Sequence, residues 1–156
     1  MDLAAADQVL GWGYRGIGAL YAVGGAFVAH NMRHMLFLAR SMDKVEQMMR
    51  EADQASLLEN DPEDRGRFMW LFIGGVLTFA TGLAMLAGSN LSVYLLLVMI
   101  AHQAMYLSRQ HKRIQAARTE LQADDAVAAP TTWNAFGWTF PIFGLALYLA
   151  YRGVLT

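Results

Sequence analysis

Four apolar stretches divide the chain, at about 10–29, 68–87, 91–107 and 133–151. A hydrocarbon core about 30 Å thick calls for about 20 residues of α-helix at about 1.5 Å each, so each stretch reads as a transmembrane helix. Arg15 interrupts the first, but Trp12 and Tyr14 stand beside it, and that company suits a headgroup-level position.

The polar segments between these stretches set the orientation. Arg33, Arg40, Lys44, Arg50, Arg65 and Arg67 follow the first stretch, and Arg109, Lys112, Arg113 and Arg118 follow the third, which places ten of the twelve basic residues in the two long connections. The short link Gly88-Ser89-Asn90 between the second and third stretches has none. By the positive-inside rule both long connections are cytoplasmic and both termini lie outside. The start of the chain is acidic and lacks a basic n-region, so the first apolar stretch is expected to stay in the mature protein.

The long connections carry helical patterning of their own. Between 31 and 58 there is neither Gly nor Pro, and Met35, Leu38, Met42, Val45, Met49 and Ala52 recur at three- and four-residue steps. Helix one is therefore expected to continue into the cytoplasm as an amphipathic stalk over about 31–58. Asp61 as N-cap, Pro62 at the first helical position and Glu63 and Asp64 in the first turn then restart a helix toward the membrane. Helix three is expected to run on through about 108–123, until the Ala-rich, Pro-containing stretch near Pro130.

Small residues mark where helices approach closely in lipid. Gly74, Thr78 and Gly82 recur every four residues in helix two, with Ala80, Ala84 and Gly88 as a second ladder. Gly18, Ala22 and Ala26, with Gly25 and Ala29, offer similar faces in helix one. Gly18, Ala22, Gly74, Thr78 and Gly82 are the candidate packing positions. Pro141 is expected to kink helix four.

Composition agrees with this reading. The 156 residues are 56% hydrophobic and only 16% charged, below the roughly 25% usual in soluble domains. A net charge of −1 gives no overall pull toward nucleic acid. The absence of cysteine excludes disulfides, thiolate catalysis, iron–sulfur clusters and Cys-based zinc sites.

Candidate chemistry rests on histidines. His30 and His34 stand one helical turn apart, and His102 lies near the end of the third stretch, at a depth near that of His30 because helices one and three both run toward the cytoplasm. Such a set is suited to a b-type haem or a transition metal. The competing readings are an interhelical polar network around His102 and Gln103, and simple interfacial placement of His30, His34 and His111. No carboxylate lies in the apolar spans, which argues against a di-iron site or a carboxylate proton relay. There is no GxxxxGK[ST], HExxH or GxSxG. Gly11, Gly13 and Gly16 have the GxGxxG spacing but open an apolar helix with no strand before it. Aromatics gather at 68–72 and 133–140 as an interfacial belt, with Trp133 and Trp138 as alternative walls of a lipid or quinone groove.

The sequence thus describes an all-α integral membrane protein, one domain over 1–156, with four transmembrane helices and with helices one and three extended into the cytoplasm. A bacterial inner membrane is the expected location. The expected role is a non-enzymatic structural or accessory subunit, its partners being the lipid bilayer and other membrane subunits or copies of itself. The alternatives are a haem- or metal-binding electron-transfer subunit and a homo-oligomeric channel lined by the helix-two ladder.

Overall fold

The computed structural model describes residues 3–51, 62–117 and 127–156, which form four helices. These are α1 (Leu3–Glu51), α2 (Pro62–Leu86), α3 (Leu91–Ala116) and α4 (Pro130–Tyr151). Two of them, over Gly66–Leu86 and Leu91–Ala116, are long and apolar enough to cross a membrane. Each helix packs on the next in sequence, and α4 returns to α1 to close a ring.

Local chemistry sets the ends of these helices. α2 and α4 both begin on a proline, whose missing N–H is no loss in a first turn. Asp61, the expected N-cap of α2, lies outside the described residues. α2 ends at Gly88 and α4 at Gly153, both left-handed, with φ of 67° and 69°. The Ser89 and Val154 amides donate back to Ala84 O and Leu149 O at 3.0 and 2.9 Å, which satisfies carbonyls left free at the helix ends. Gly88 therefore closes α2 and does not extend the expected Ala80–Ala84–Gly88 packing ladder.

α1 continues unbroken through 49 residues, about 74 Å at about 1.5 Å per residue. The remainder of the expected stalk, 52–58, lies outside the described residues. α3 stops at Ala116, short of the expected 123, because Ala117 turns to an extended conformation (φ −61°, ψ 132°). Gln110 is the last buried residue of α3. Residues 118–123 lie outside the described chain.

The closest contact in the molecule is the antiparallel crossing of α1 and α2. Gly18 meets Leu86 and Met85, Ala22 meets Gly82, Gly25 meets Phe79 and Ala29 meets Gly75. A Cβ on Gly18 would lie 2.7 Å from the Met85 Cβ, and one on Gly75 would lie 2.7 Å from the Ala29 amide nitrogen. A Cβ on Gly25 or Gly82 would collide with the backbone nitrogen of Phe79 or Ala22. The partners are spaced by sevens in both helices, Gly18 to Gly25 and Gly75 to Gly82. Seven residues return to within about 20° of the same face, whereas two four-residue steps drift by about 80°. Gly82 accordingly faces α1, while Gly74 and Thr78 turn toward α3: a Gly74 Cβ would lie 3.2 Å from the His102 ring, and the Thr78 hydroxyl lies 3.7 Å from Met99 Sδ. Ala26, expected on the same α1 ladder as Gly18 and Ala22, is exposed for the same reason.

Adjacent glycines of α1 provide a direct test of the seam. Gly25→Ala forces the helices apart and is expected to lower stability by about 1–3 kcal/mol, the usual scale of overpacking. Gly24→Ala adds a methyl into open space and is expected to leave stability unchanged or raised, since Ala is the better helix former. Thermal unfolding followed by circular dichroism in detergent separates the two.

Candidate functional site

Polar side chains line the interior of the ring, and most are satisfied within it. Tyr14 on α1 donates its hydroxyl to Ser92 Oγ on α3 at 2.7 Å, and Ser92 Oγ in turn donates to Ser89 O at 2.7 Å. Thr78, Thr81 and Thr139 each donate to the carbonyl four residues back, at 2.8 Å. This habit hides a hydroxyl against its own helix and suits an apolar setting. Thr139 on α4 also approaches Gln103 Oε1 on α3 at 3.3 Å, and Gln110 donates to the Tyr106 hydroxyl at 2.9 Å.

Among the described residues two buried side-chain atoms lack a hydrogen-bond partner, Gln110 Oε1 and Nε2 of His102. The His102 ring sits on α3 against Gly74, where the missing side chain leaves room for the imidazole. It is tilted 39° to the Trp70 ring with centroids 4.7 Å apart, and the Arg109 guanidinium lies 4.6 Å from the centre of that same indole. His102 Nε2 is buried and has no hydrogen-bond partner. A buried polar atom of this kind normally has one.

Two connected chambers open at this point. One, of about 330 Å³, is bounded by His102, Trp70, Tyr106, Thr131 and Thr132 among others. The other, of about 720 Å³, is bounded by Ile17, Leu20, Tyr21, Trp138, Pro141, Ile142 and Leu145. Gly24, Thr78, Met99, Gln103 and Ala135 belong to both walls, so the chambers form one cleft. Among the described residues, neither wall contains Asp, Glu, Lys or Arg. The cleft therefore offers hydrogen bonding at one end, hydrocarbon at the other and no charge.

Of the three candidate ligands, His102 alone lines this cleft. His30 and His34 are exposed on α1 and belong to neither wall. Among the described residues, no group of three or more His, Cys, Asp or Glu is placed to hold a metal ion. His111 is exposed and hydrogen-bonds Gln115 at 3.0 Å. Gly18, Ala22 and Gly82 stand in the α1–α2 seam, whereas Gly74 and Thr78 help to form the cleft. Trp138, named from sequence as a possible groove wall, lines the larger chamber; Trp133 is exposed and lines neither.

A second polar constellation closes the opposite end of the bundle. Arg152 donates to Asp7 Oδ2 through Nε at 2.8 Å, with Nη2 at 2.7 Å, and the Tyr148 hydroxyl donates to Asp7 Oδ1 at 2.9 Å. Sequence reading missed this cluster because its members lie 141 and 145 residues apart. The Thr156 amide and carbonyl bond to Gly88 O and the Asn90 amide, each at 2.9 Å, and this ties the tail to the α2–α3 turn. Arg15 lies 5.3 Å from the Trp12 ring centre and packs on Gly88.

The Arg152 hydrogen bond, and after it that of Tyr148, hold the Asp7 carboxyl below its ordinary value of 3.8. A depressed carboxylate stabilises the fold above the unfolded-state value, and that stability is lost as pH falls through the folded-state value. Melting temperature is thus expected to fall as pH drops below about 4. Asp7→Asn should melt lower at neutral pH and show a shallower acid dependence, with thermal unfolding against pH as the measurement. The chain matches no protein-family model, no curated protein and no solved structure.

Proposed function

We propose that this protein is a four-span membrane protein that acts as a structural or accessory component of a larger assembly in a bacterial inner membrane, with both termini outside. The observation that carries this reading is the apolar outer face of the bundle around a core that also buries hydroxyls. Large apolar side chains stand outward on every helix: Val23 and Phe27 on α1, Ile73 and Leu83 on α2, Leu97 and Val98 on α3, and Phe140 and Leu147 on α4. Thr81, Ser92 and Thr139 are fully buried inside. Water penalises such an arrangement and lipid favours it. The same reasoning extends to α1 and α4, which also expose large apolar side chains.

The α1 extension supports the assembly role. Continuing the seam register sets Phe37 level with Arg67, where charged residues resume, yet Phe37 is 66% exposed, with Met35 and Leu38 also uncovered. An apolar face continuing past the bilayer beside Arg33 and Arg40 is suited to a helix of a neighbouring subunit. The haem or metal reading draws less support, because His30 and His34 do not reach the cleft that His102 lines.

The lack of native cysteine makes the chain a ready template for topology mapping. Single cysteines at Ala5 and Ser89 are expected to react with an impermeant thiol reagent added outside intact cells, and those at Ser41 and Ala116 only after permeabilisation. The reverse pattern overturns the orientation. Gentle extraction with native mass spectrometry is expected to recover the chain in a particle containing other subunits, and Phe37→Glu is expected to release it. A strictly monomeric particle overturns the assembly role.

A further inference from the structure

Beyond that role, and resting on the membrane reading for its supply of ligand, the cleft has the features of a binding site. A buried imidazole nitrogen without a partner loses the hydrogen bond that water would give it, and a ligand oxygen restores it. The smaller chamber is lined by the His102 imidazole, the Trp70 ring packed against it, and Thr131 and Thr132. The larger chamber continues from it past Met99 and Gly24 between apolar walls that include Leu20, Trp138 and Ile142. Both volumes, about 330 and 720 Å³, fall in the range of small-molecule sites, roughly 300–1,000 Å³.

We infer that the cleft binds a neutral lipid whose head carries a hydrogen-bond-accepting carbonyl oxygen, with that oxygen at His102 Nε2 and the hydrocarbon chain in the larger chamber. The chemistry follows from the walls. Among the described residues no Lys or Arg lines either wall to meet a phosphate head, the Arg109 guanidinium lying over the Trp70 ring outside the lining, and no Asp or Glu lines them to meet an amine. A neutral imidazole protonated at Nε2 donates to a carbonyl. The neighbouring indole offers a flat apolar wall to the head, and Gly24 leaves the passage between chambers open, since a Cβ there meets nothing within 4 Å. Two membrane constituents have this chemistry, a quinone ring and a glycerol ester.

The test titrates the purified full chain, extracted free of native lipid, with decylubiquinone and separately with dioctanoylglycerol by isothermal titration calorimetry. At least one is expected to bind saturably near one per chain. His102→Leu, which keeps bulk and removes the nitrogen, and Gly24→Leu, which fills the passage, are each expected to weaken binding at least tenfold. Gly144→Leu, outside both walls and facing open space, should leave it unchanged. Binding of the quinone alone or of the diacylglycerol alone assigns the source within the same chemistry. Failure of both lipids to saturate, or binding that survives both cleft substitutions, overturns the inference. Release of the chain from membranes by alkaline carbonate would instead overturn the membrane reading, and the calorimetry does not depend on that result.

Discussion

Backbone contact between α1 and α2 governs the rest of this structure. Helices normally keep their axes 8–10 Å apart because side chains fill the space between them. Here Gly18, Gly25, Gly75 and Gly82 remove those side chains at the crossing, and the two backbones meet. Dense van der Waals contact of this kind holds the pair together. The pair forms a rigid slab to which α3 and α4 add, each through its neighbour in sequence.

The same seam leaves the far side of the bundle less filled. α1 engages α2 along a long stretch and α4 along a much shorter one, so the interior opens where α1, α3 and α4 diverge. Gly24, one residue from the seam, faces that opening. Gly74, which a four-residue ladder would assign to the same face as Gly82, instead accommodates the His102 ring. A few glycines thus set both the tightest contact and the emptiest space, according to which side of the helix each occupies.

The two ends of the bundle are built differently. At one end Asp7, Tyr148 and Arg152 join α1 to α4, and the backbone of Thr156 pairs with the α2–α3 turn. This end is closed by specific hydrogen bonds. At the other end α1 runs beyond the first residues of α2, with Phe37 and Leu38 uncovered among basic residues.

Much of this organisation follows from local pattern. Apolar length and Gly/Pro punctuation determine four helices, the proline start of α2 and the unbroken run of α1, because helix formation depends on residues within a turn or two of each other. Basic residues in the long connections determine the proposed orientation in the same local way. The Gly-x6-Gly spacing in α1 and α2 was also present to be read, but a four-residue ladder obscures it unless the drift of about 20° per heptad is followed. Tertiary structure alone decided that His102 meets Trp70 and Gly74 while His30 and His34 stay outside, that Asp7 finds Arg152 145 residues away, and that a cleft exists. Those outcomes depend on the rotation of each helix about its axis and on which pair closes first. Rotation and closure are fixed by contacts between distant segments, and no window of sequence contains them.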